Sequence, residues 1–209
     1  MSQANAPREP GFWPALFREK VAANARFWLD QTAVQQLAMP SLASERENIV
    51  KALARALQLQ AAWEPAIDLL LAFHPYMARQ GALSEWQRFV EIGLDICRQQ
   101  GNAAAEAALL DRLGEQRRDR GDWSAAAALH DQAQRLSAAA GDAAGRARSL
   151  TNLGHVYRLQ RRYAEAREVL QLALEICLAS QNLEGQAFAH TNLGLGHYEE
   201  RRWEQALHH

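Results

Sequence analysis

Thr-Asn-Leu-Gly at residues 151–154 recurs unchanged at residues 191–194, forty residues later, and this tetrapeptide decides the fold. Its Leu-Gly half also occurs forty residues upstream, as Leu113 and Gly114. The same offset relates three aromatic residues and three alanines: Trp123, Tyr163 and Trp203, then Ala126, Ala166 and Ala206. Because three separate landmarks share one period between about 20 and 50 residues, the sequence predicts stacked repeats.

Each repeat is predicted to consist of two α-helices joined by a short turn. Ala166, Leu170 and Ala173 follow one another at helical spacing, which indicates the buried face of a second helix. Helix stops followed by cap residues recur at Gly101-Asn102, Gly141-Asp142 and Gln181-Asn182. Helices are therefore predicted over 84–100, 103–119, 123–140, 144–160, 163–180 and 184–200, with another starting at 203.

One repeat of this pattern carries a family resemblance. Its residues are Leu150, Leu153, Gly154, Tyr157, Ala166 and Leu170. Their spacing resembles the tetratricopeptide repeat, in a variety of about forty residues similar to the repeat arrays of bacterial signalling proteins. The closing proline is absent, and the period exceeds the usual length of about 34 residues. The resemblance implies an all-α fold, a right-handed α-solenoid of antiparallel helix pairs, preceded by an N-terminal helical cap.

The sequence divides into six segments. They are a flexible arm (1–12), an N-terminal helical segment (13–62), a degenerate repeat (63–102), two full repeats (103–142 and 143–182) and a truncated repeat (183–209). Because the last repeat has only the start of its second helix, we expect either a fragment of a longer array or self-association through the uncapped C-terminal end.

The N-terminal helical segment is predicted to contain two helices. The first runs from Pro14 to about Leu37, and after a break at residues 39–41 the second begins at a capping box on Ser44 and ends near Leu59. The aromatic residues of the first helix are expected to pack on the first repeat, with a partner-binding surface as the alternative: Phe12, Trp13, Phe17, Phe27 and Trp28.

Close packing is expected between the two helices of each repeat. The glycine of each Leu-Gly pair is predicted to face an alanine: Gly114 and Ala126, Gly154 and Ala166, Gly194 and Ala206. Trp123 is expected to be buried near the turn, where its replacement by alanine costs about 3–5 kcal/mol. Pro75 is predicted to kink the first helix of the degenerate repeat, which runs from Glu64 to Gln80.

Composition and motifs narrow the class of protein. The net charge of −1 gives no general reason to expect a nucleic-acid partner. The N-terminus lacks a secretory signal and no apolar run spans a membrane, so a cytoplasmic location without a membrane partner is expected. Cys97 and Cys177 are predicted to be buried thiols rather than a disulfide. With no catalytic motif, cofactor motif or metal-ligand spacing in the sequence, the prediction is a non-enzyme without cofactor or metal.

The resemblance implies that the first helices line a concave groove. The predicted groove residues are Arg112, Arg148, Thr151, Asn152, His155, Arg158, Thr191, Asn192, Leu195 and Tyr198, with Asp111, Glu115 and Arg118 beside them. Asn152 and Asn192 match a family position that hydrogen-bonds the backbone of a bound peptide. The arginines favour an acidic segment or a terminal carboxylate. The alternative is a solvated face with intrahelical pairs such as Arg112 with Glu115.

These observations favour a protein–protein interaction scaffold or adaptor that binds a peptide or partner protein in this groove. The alternative is a regulatory or oligomerisation segment, itself non-catalytic, of a larger bacterial signalling ATPase. A small-molecule-binding regulator is the third interpretation.

Overall fold

The computed structural model describes residues 12–33, 39–59, 62–80 and 83–209, and within these ranges the regular structure is helical. The described α-helices are α1 (Phe12–Ala33), α2 (Met39–Leu57), α3 (Trp63–Arg79), α4 (Leu83–Gln100), α5 (Ala103–Asp119), α6 (Trp123–Ala139), α7 (Ala143–Leu159), α8 (Tyr163–Ala179), α9 (Leu183–Glu199) and α10 (Trp203–His208). In these ranges no helix is both long enough and apolar enough to cross a membrane. The chain forms two compact units, Met1–Ile92 and Gly93–His209.

In the first unit, α1 packs against α2 and α3. The side chains that α1 buries are small, Val21, Ala22 and Ala25, whereas Phe17 and Phe27 are exposed. Short side chains let neighbouring helices approach closely, so the aromatic residues turn outward instead. The expectation that the aromatic residues of this helix pack inward is therefore wrong for these two, and the side chains of residues 12 and 13 lie outside the described part.

The helix starts in the first unit differ from the prediction at one place. α2 begins at Met39, so Ser44 lies inside the helix and the predicted capping box is wrong. Pro40 occupies the first turn, where a missing backbone N–H costs nothing because that group has no intrahelical acceptor. The predicted end of the first helix near Leu37 lies outside the described residues. α3 continues through Pro75 to Arg79.

In the second unit, successive helices from α5 to α10 are joined by three-residue turns and pack on one another. Because the turns are so short, successive helices run antiparallel. Contacts also join α5 to α7 and α7 to α9, so these three helices form one layer, with α6 and α8 in the other. The helix bounds in this unit fall within one residue of the predicted ones.

The turns share one backbone conformation, which recurs every twenty residues. A residue with positive φ ends each helix: Gly101 (68°), Gly121 (80°), Gly141 (70°), Arg161 (61°), Gln181 (55°) and Arg201 (61°). The next residue caps the following helix, and at Asn102, Asp122, Asp142 and Asn182 its side chain accepts a hydrogen bond from a first-turn backbone N–H. This confirms the predicted pattern of helix stop followed by cap.

At two of the three Leu-Gly pairs the contact opposite the glycine differs from the expected one, whereas a Cβ atom added at Gly194 would lie 3.5 Å from the backbone oxygen of Ala206, the predicted partner. A Cβ atom added at Gly154 would lie 2.4 Å from Leu170 Cγ, and one added at Gly114 would lie 2.5 Å from His130 Cε1. The facing residue is thus one helical turn beyond the predicted alanine. Trp123 is 39% exposed, so the predicted burial of its ring is wrong, and the loss of about 3–5 kcal/mol that depended on this burial no longer follows.

The left-handed turn residues generate a stability prediction. Arg161→Gly should raise the free energy of unfolding by about 1 kcal/mol, because glycine adopts positive φ without a Cβ clash. Gly141→Ala, at an equivalent turn, should lower it by a similar amount. Urea denaturation of both variants and the wild type measures the difference, and a fall in stability for Arg161→Gly would contradict the prediction.

Candidate functional site

A pocket of about 510 Å³ opens along α7, between α5 on one side and α9 on the other. We call it the α7 pocket. Of the predicted groove residues, those in its lining are Arg112, Arg148, Thr151, Asn152, His155 and Asn192, together with Glu115 and Arg118. The remaining lining residues are Ala144, Ala147, Cys177, Asn182, Glu184, Gly185 and Phe188. One layer of helices thus brings residues from three successive helix pairs to one cavity.

Four of the predicted groove residues lie outside the lining of this pocket. Arg158 forms an ion pair with Glu199 across α7 and α9. Thr191 is exposed, and its hydroxyl donates a hydrogen bond to the Ala187 carbonyl. Leu195 and Tyr198 are also exposed. These three α9 residues are therefore exposed without lining the pocket.

Asp111 was expected in the groove, and this expectation is wrong. Its carboxylate is only 1% exposed and accepts hydrogen bonds from His130 Nδ1 at 2.9 Å and from Ser149 Oγ at 2.7 Å. A carboxylate held by two donors needs no solvent, which explains how its charge is buried between α5, α6 and α7.

The two asparagines use part of their hydrogen-bonding capacity within the protein. Asn192 is buried and donates from Nδ2 to the Phe188 carbonyl at 3.0 Å. Asn152 Nδ2 lies 3.5 Å from Glu115 Oε1. Each amide group has two donor hydrogens and an acceptor oxygen, so Asn152, the more accessible of the two, keeps capacity for a bound backbone.

The arginines of the α7 pocket differ in how far their charge is already neutralised. Arg112 Nη1 lies 3.0 Å from both carboxylate oxygens of Glu115, as the alternative interpretation of these residues predicted. Arg118 bonds the neighbouring Asp119 through Nε and Nη2, at 3.0 and 2.8 Å. Arg148 is 45% exposed, and its ion pair runs through Nε to a buried carboxylate at 3.5 Å. Arg148 is therefore the best placed of the three to meet an anion.

His155 contributes hydrogen bonding to the pocket rather than charge. Burial, followed by the positive charges of Arg118 and Arg158, lowers the pKa of His155 from 6.5 to about 4. The imidazole is consequently neutral at physiological pH, with one nitrogen as donor and the other as acceptor.

Sequence reasoning missed the apolar part of the pocket. Phe188 is 57% exposed at the pocket and stands forty residues after Arg148, so the repeat period could have identified it. Ala144 and Ala147 line the same cavity. The pocket therefore offers a cationic side chain and an aromatic one at equivalent positions of successive repeats.

The cysteines agree with the sequence prediction. Cys97 and Cys177 are both free and buried. Burial raises the pKa of Cys97 to about 11, with the charge of Glu106 adding to the effect, and burial likewise raises the pKa of Cys177. Thiols held in this form are poor nucleophiles. In the described ranges, no group of three or more His, Cys, Asp or Glu side chains is placed to hold a metal ion.

Comparison with known proteins identifies the repeats. A family model described as tetratricopeptide repeat matches residues 104–179 and 146–209, which together span just over half of the chain. No curated protein matches the sequence.

Solved structures share the fold. The structure of BtubC (BKLC) from P. vanneervenii is 18% identical, with a TM-score of 0.63 over 90% of this chain and 86% of that one. A kinesin light chain candidate from Podosopora anserina with nearly identical TPR-like repeats is 14% identical, with a TM-score of 0.63 over 91% and 90%. A point variant of that protein gives 0.64 over 91% and 89%, at 14% identity. At these identities the likeness extends to the fold alone.

The environment of His155 predicts an unusual titration. Its ring signal in NMR spectra should titrate with a midpoint near 4, because burial and two nearby arginines disfavour the charged form. His155→Gln identifies the signal by removing it. A midpoint near 6.5, the value in an unfolded chain, would contradict the described surroundings.

The lowered pKa of His155 also makes the stability of the protein depend on pH. Because the folded-state pKa lies below the unfolded one, the unfolded chain binds more protons, and His155 destabilises the folded state as pH falls from 6.5 towards 4. His155→Gln should therefore lose less stability than wild type across this range, measured by denaturation at several pH values. Parallel losses in both proteins would contradict this.

Proposed function

Because the chain belongs to the tetratricopeptide-repeat family, we propose that it is a protein–protein interaction module that binds a segment of a partner protein in the α7 pocket. The observation that supports this most directly is the cavity itself, of about 510 Å³ along the middle helix of the layer. Specific binding sites are typically concave and combine apolar walls with a few placed polar groups.

The chemistry of the lining suggests what kind of segment fits. Arg148 suits a carboxylate, since a guanidinium can donate two parallel hydrogen bonds to it. Phe188 and Ala147, which are both in the lining, suit an apolar side chain. Asn152 and neutral His155 can pair with backbone amides of an extended chain. We therefore propose a ligand segment that carries an acidic group next to an apolar residue.

The charge balance of the pocket bears on this specificity. Arg112 and Arg118 already have acidic neighbours, Glu115 and Asp119, at hydrogen-bonding distance. An incoming carboxylate gains less from an arginine whose charge is already compensated. Arg148 also has a buried carboxylate beside it, but that carboxylate lies 3.5 Å from Nε, farther than the acidic partners of Arg112 and Arg118, so the proposal assigns the acidic preference to Arg148.

Self-association is a second candidate, favoured by the exposed apolar side of α9. Leu183, Leu195 and Tyr198 are exposed there, whereas His155 and Arg158, the α7 equivalents of the last two, are only partly exposed on α7, which packs against α9. A second copy of the chain could cover this side of α9 with its own α9. Such an interface is self-complementary, as a two-fold dimer requires.

A peptide array tests the binding proposal. It presents twelve-residue peptides that vary in acidic and apolar content, and the wild type should select those combining both. Arg148→Gln should weaken binding to the selected peptides about tenfold, the scale of one charged hydrogen bond. Arg135→Gln is the matched control, because Arg135 is an exposed arginine on α6 outside the pocket. Equal affinities for the two variants would rule out the pocket as the site.

Light scattering tests the second candidate. A self-associating chain should give twice the monomer mass of 23.4 kDa at high concentration, and Leu195→Asp should return it to one chain by placing a charge in the apolar contact. A wild-type mass of one chain at every concentration would exclude the dimer and leave the pocket proposal untouched.

A further inference from the structure

Asp111, His130 and Ser149 form a buried polar trio between α5, α6 and α7. His130 and Ser149 are fully buried and Asp111 is nearly so. Each of the two donors bonds a different oxygen of the Asp111 carboxylate, His130 Nδ1 at 2.9 Å and Ser149 Oγ at 2.7 Å. The serine hydroxyl donates to the carboxylate rather than to the imidazole, so the trio is not arranged to activate a nucleophile.

The next repeat shows that packing alone does not require this trio. Forty residues later, the same three positions are Thr151, Leu170 and Ala189. All three are buried, and Thr151 Oγ1 donates to the Ala147 carbonyl of its own helix at 2.8 Å. Leu170 faces Gly154 as His130 faces Gly114. The same geometry is thus built once around a carboxylate and once without any buried charge.

The polar version is also the costlier one to bury. His130 Nε2 has no hydrogen-bond partner among the described residues, and an unsatisfied buried polar atom is unfavourable. Replacing a buried ionic group by well-packed apolar residues of similar volume is often neutral or stabilising. These two facts point to a role for Asp111 other than stability.

Asp111 reaches the α7 pocket through one further contact. Arg148 Nε lies 3.5 Å from Asp111 Oδ2, the oxygen that also accepts from Ser149. Arg148 itself lines the pocket, and its side chain is 45% exposed there. Because the ion pair engages Nε, the two terminal nitrogens of the guanidinium take no part in it.

We propose that Asp111, clamped by His130 and Ser149, is a positioning residue that holds Arg148 in a ready orientation for a carboxylate in the α7 pocket. This inference rests on the proposed function, in which Arg148 meets the acidic group of the partner. A side chain that is oriented before binding loses less conformational entropy when the ligand arrives. The buried carboxylate thus serves the specificity of the pocket rather than the stability of the core.

The test exchanges the trio for the residues of the next repeat. The variant Asp111→Thr/His130→Leu/Ser149→Ala removes the buried carboxylate and keeps a set of side chains that the chain already packs at the equivalent place. Its midpoint of urea unfolding should equal or exceed that of wild type. A large fall in the midpoint would show that the trio serves packing and would overturn the proposal.

A ligand-free measurement then reports on Arg148 directly. In wild type, the Nε–H signal of Arg148, identified by its loss in Arg148→Gln, should be resolved and protected from exchange with water. In the triple variant it should merge with the signals of exposed arginines. An unchanged signal would overturn the positioning role, whether or not the pocket binds a partner.

The binding arm uses the peptide acetyl-Leu-Glu-Leu-Glu with a free carboxyl end as probe. The triple variant and Arg148→Gln should each lose about tenfold in affinity, and combining them should cause no further loss, because both remove the same contact. Full affinity in the folded triple variant would refute the proposal. If wild type fails to bind this probe and every peptide on the array, the proposed function fails, while the Nε–H signal still decides the positioning role.

A milder variant keeps the test decisive if the triple exchange prevents folding. Asp111→Asn retains the shape of the side chain and most of its hydrogen bonding, but removes the charge that faces Arg148. It should release the Nε–H signal of Arg148 and weaken the probe in the same direction, and Asp111→Glu should restore both in part. Persistence of the wild-type signal in Asp111→Asn would count against the inference.

Discussion

The close approach of paired helices at Gly154 and Gly114 is the constraint on which the second unit depends. At both places a Cβ atom would fall within 2.5 Å of the facing side chain, well inside van der Waals contact. The first helices of the pairs also contact one another, α5 with α7 and α7 with α9, and so form one layer. The pocket along α7 exists because that layer is regular, and its chemistry follows from the few positions at which successive repeats differ.

Several of these positions carry a charged or polar residue in one repeat and an apolar or uncharged residue forty residues later. Arg148 and Phe188 are repeat equivalents, as are Asp111 and Thr151, and His130 and Leu170. The repeat containing α5 and α6 therefore supplies a buried carboxylate, and the first helix of the next repeat supplies the arginine that pairs with it. The following repeat supplies the aromatic wall. One scaffold geometry thus gives a pocket with two chemically distinct sides.

Features of the structure could be predicted from the sequence where residues close together in the chain determine them. Helix bounds in the second unit were predictable because a left-handed residue recurs every twenty residues, and a capping side chain follows it at four of these six turns. Burial of Cys97 and Cys177 followed from helical periodicity, and the Arg112–Glu115 pair from their spacing of three residues. The lining of the pocket followed only in part, since a periodic pattern identifies the layer but not which of its residues surround a cavity.

Prediction failed where packing between helices decides the outcome. The sequence around Asp111 gives no sign that its carboxylate is buried. Its hydrogen-bond partners, His130 and Ser149, are nineteen and thirty-eight residues away in the chain. Ser44 carries a valid capping sequence, yet the helix starts earlier at Met39 because the preceding residues can also adopt helical geometry. Trp123 marks a turn without being buried, since the tight glycine contact lies further along the helix.

The arrangement of the pocket walls has a mechanical consequence. Within residues 83–209, α7 contacts both α5 and α9, but α5 and α9 share no contact with each other. In such arrays each element is coupled only to its neighbours. The layer can therefore bend at α7, with α5 and α9 changing their orientation relative to each other. A ligand that touches Arg112 on one side and Phe188 on the other would connect α5 and α9. Occupancy of the pocket would then stiffen the array, and bending of the array would in turn alter its affinity for the ligand.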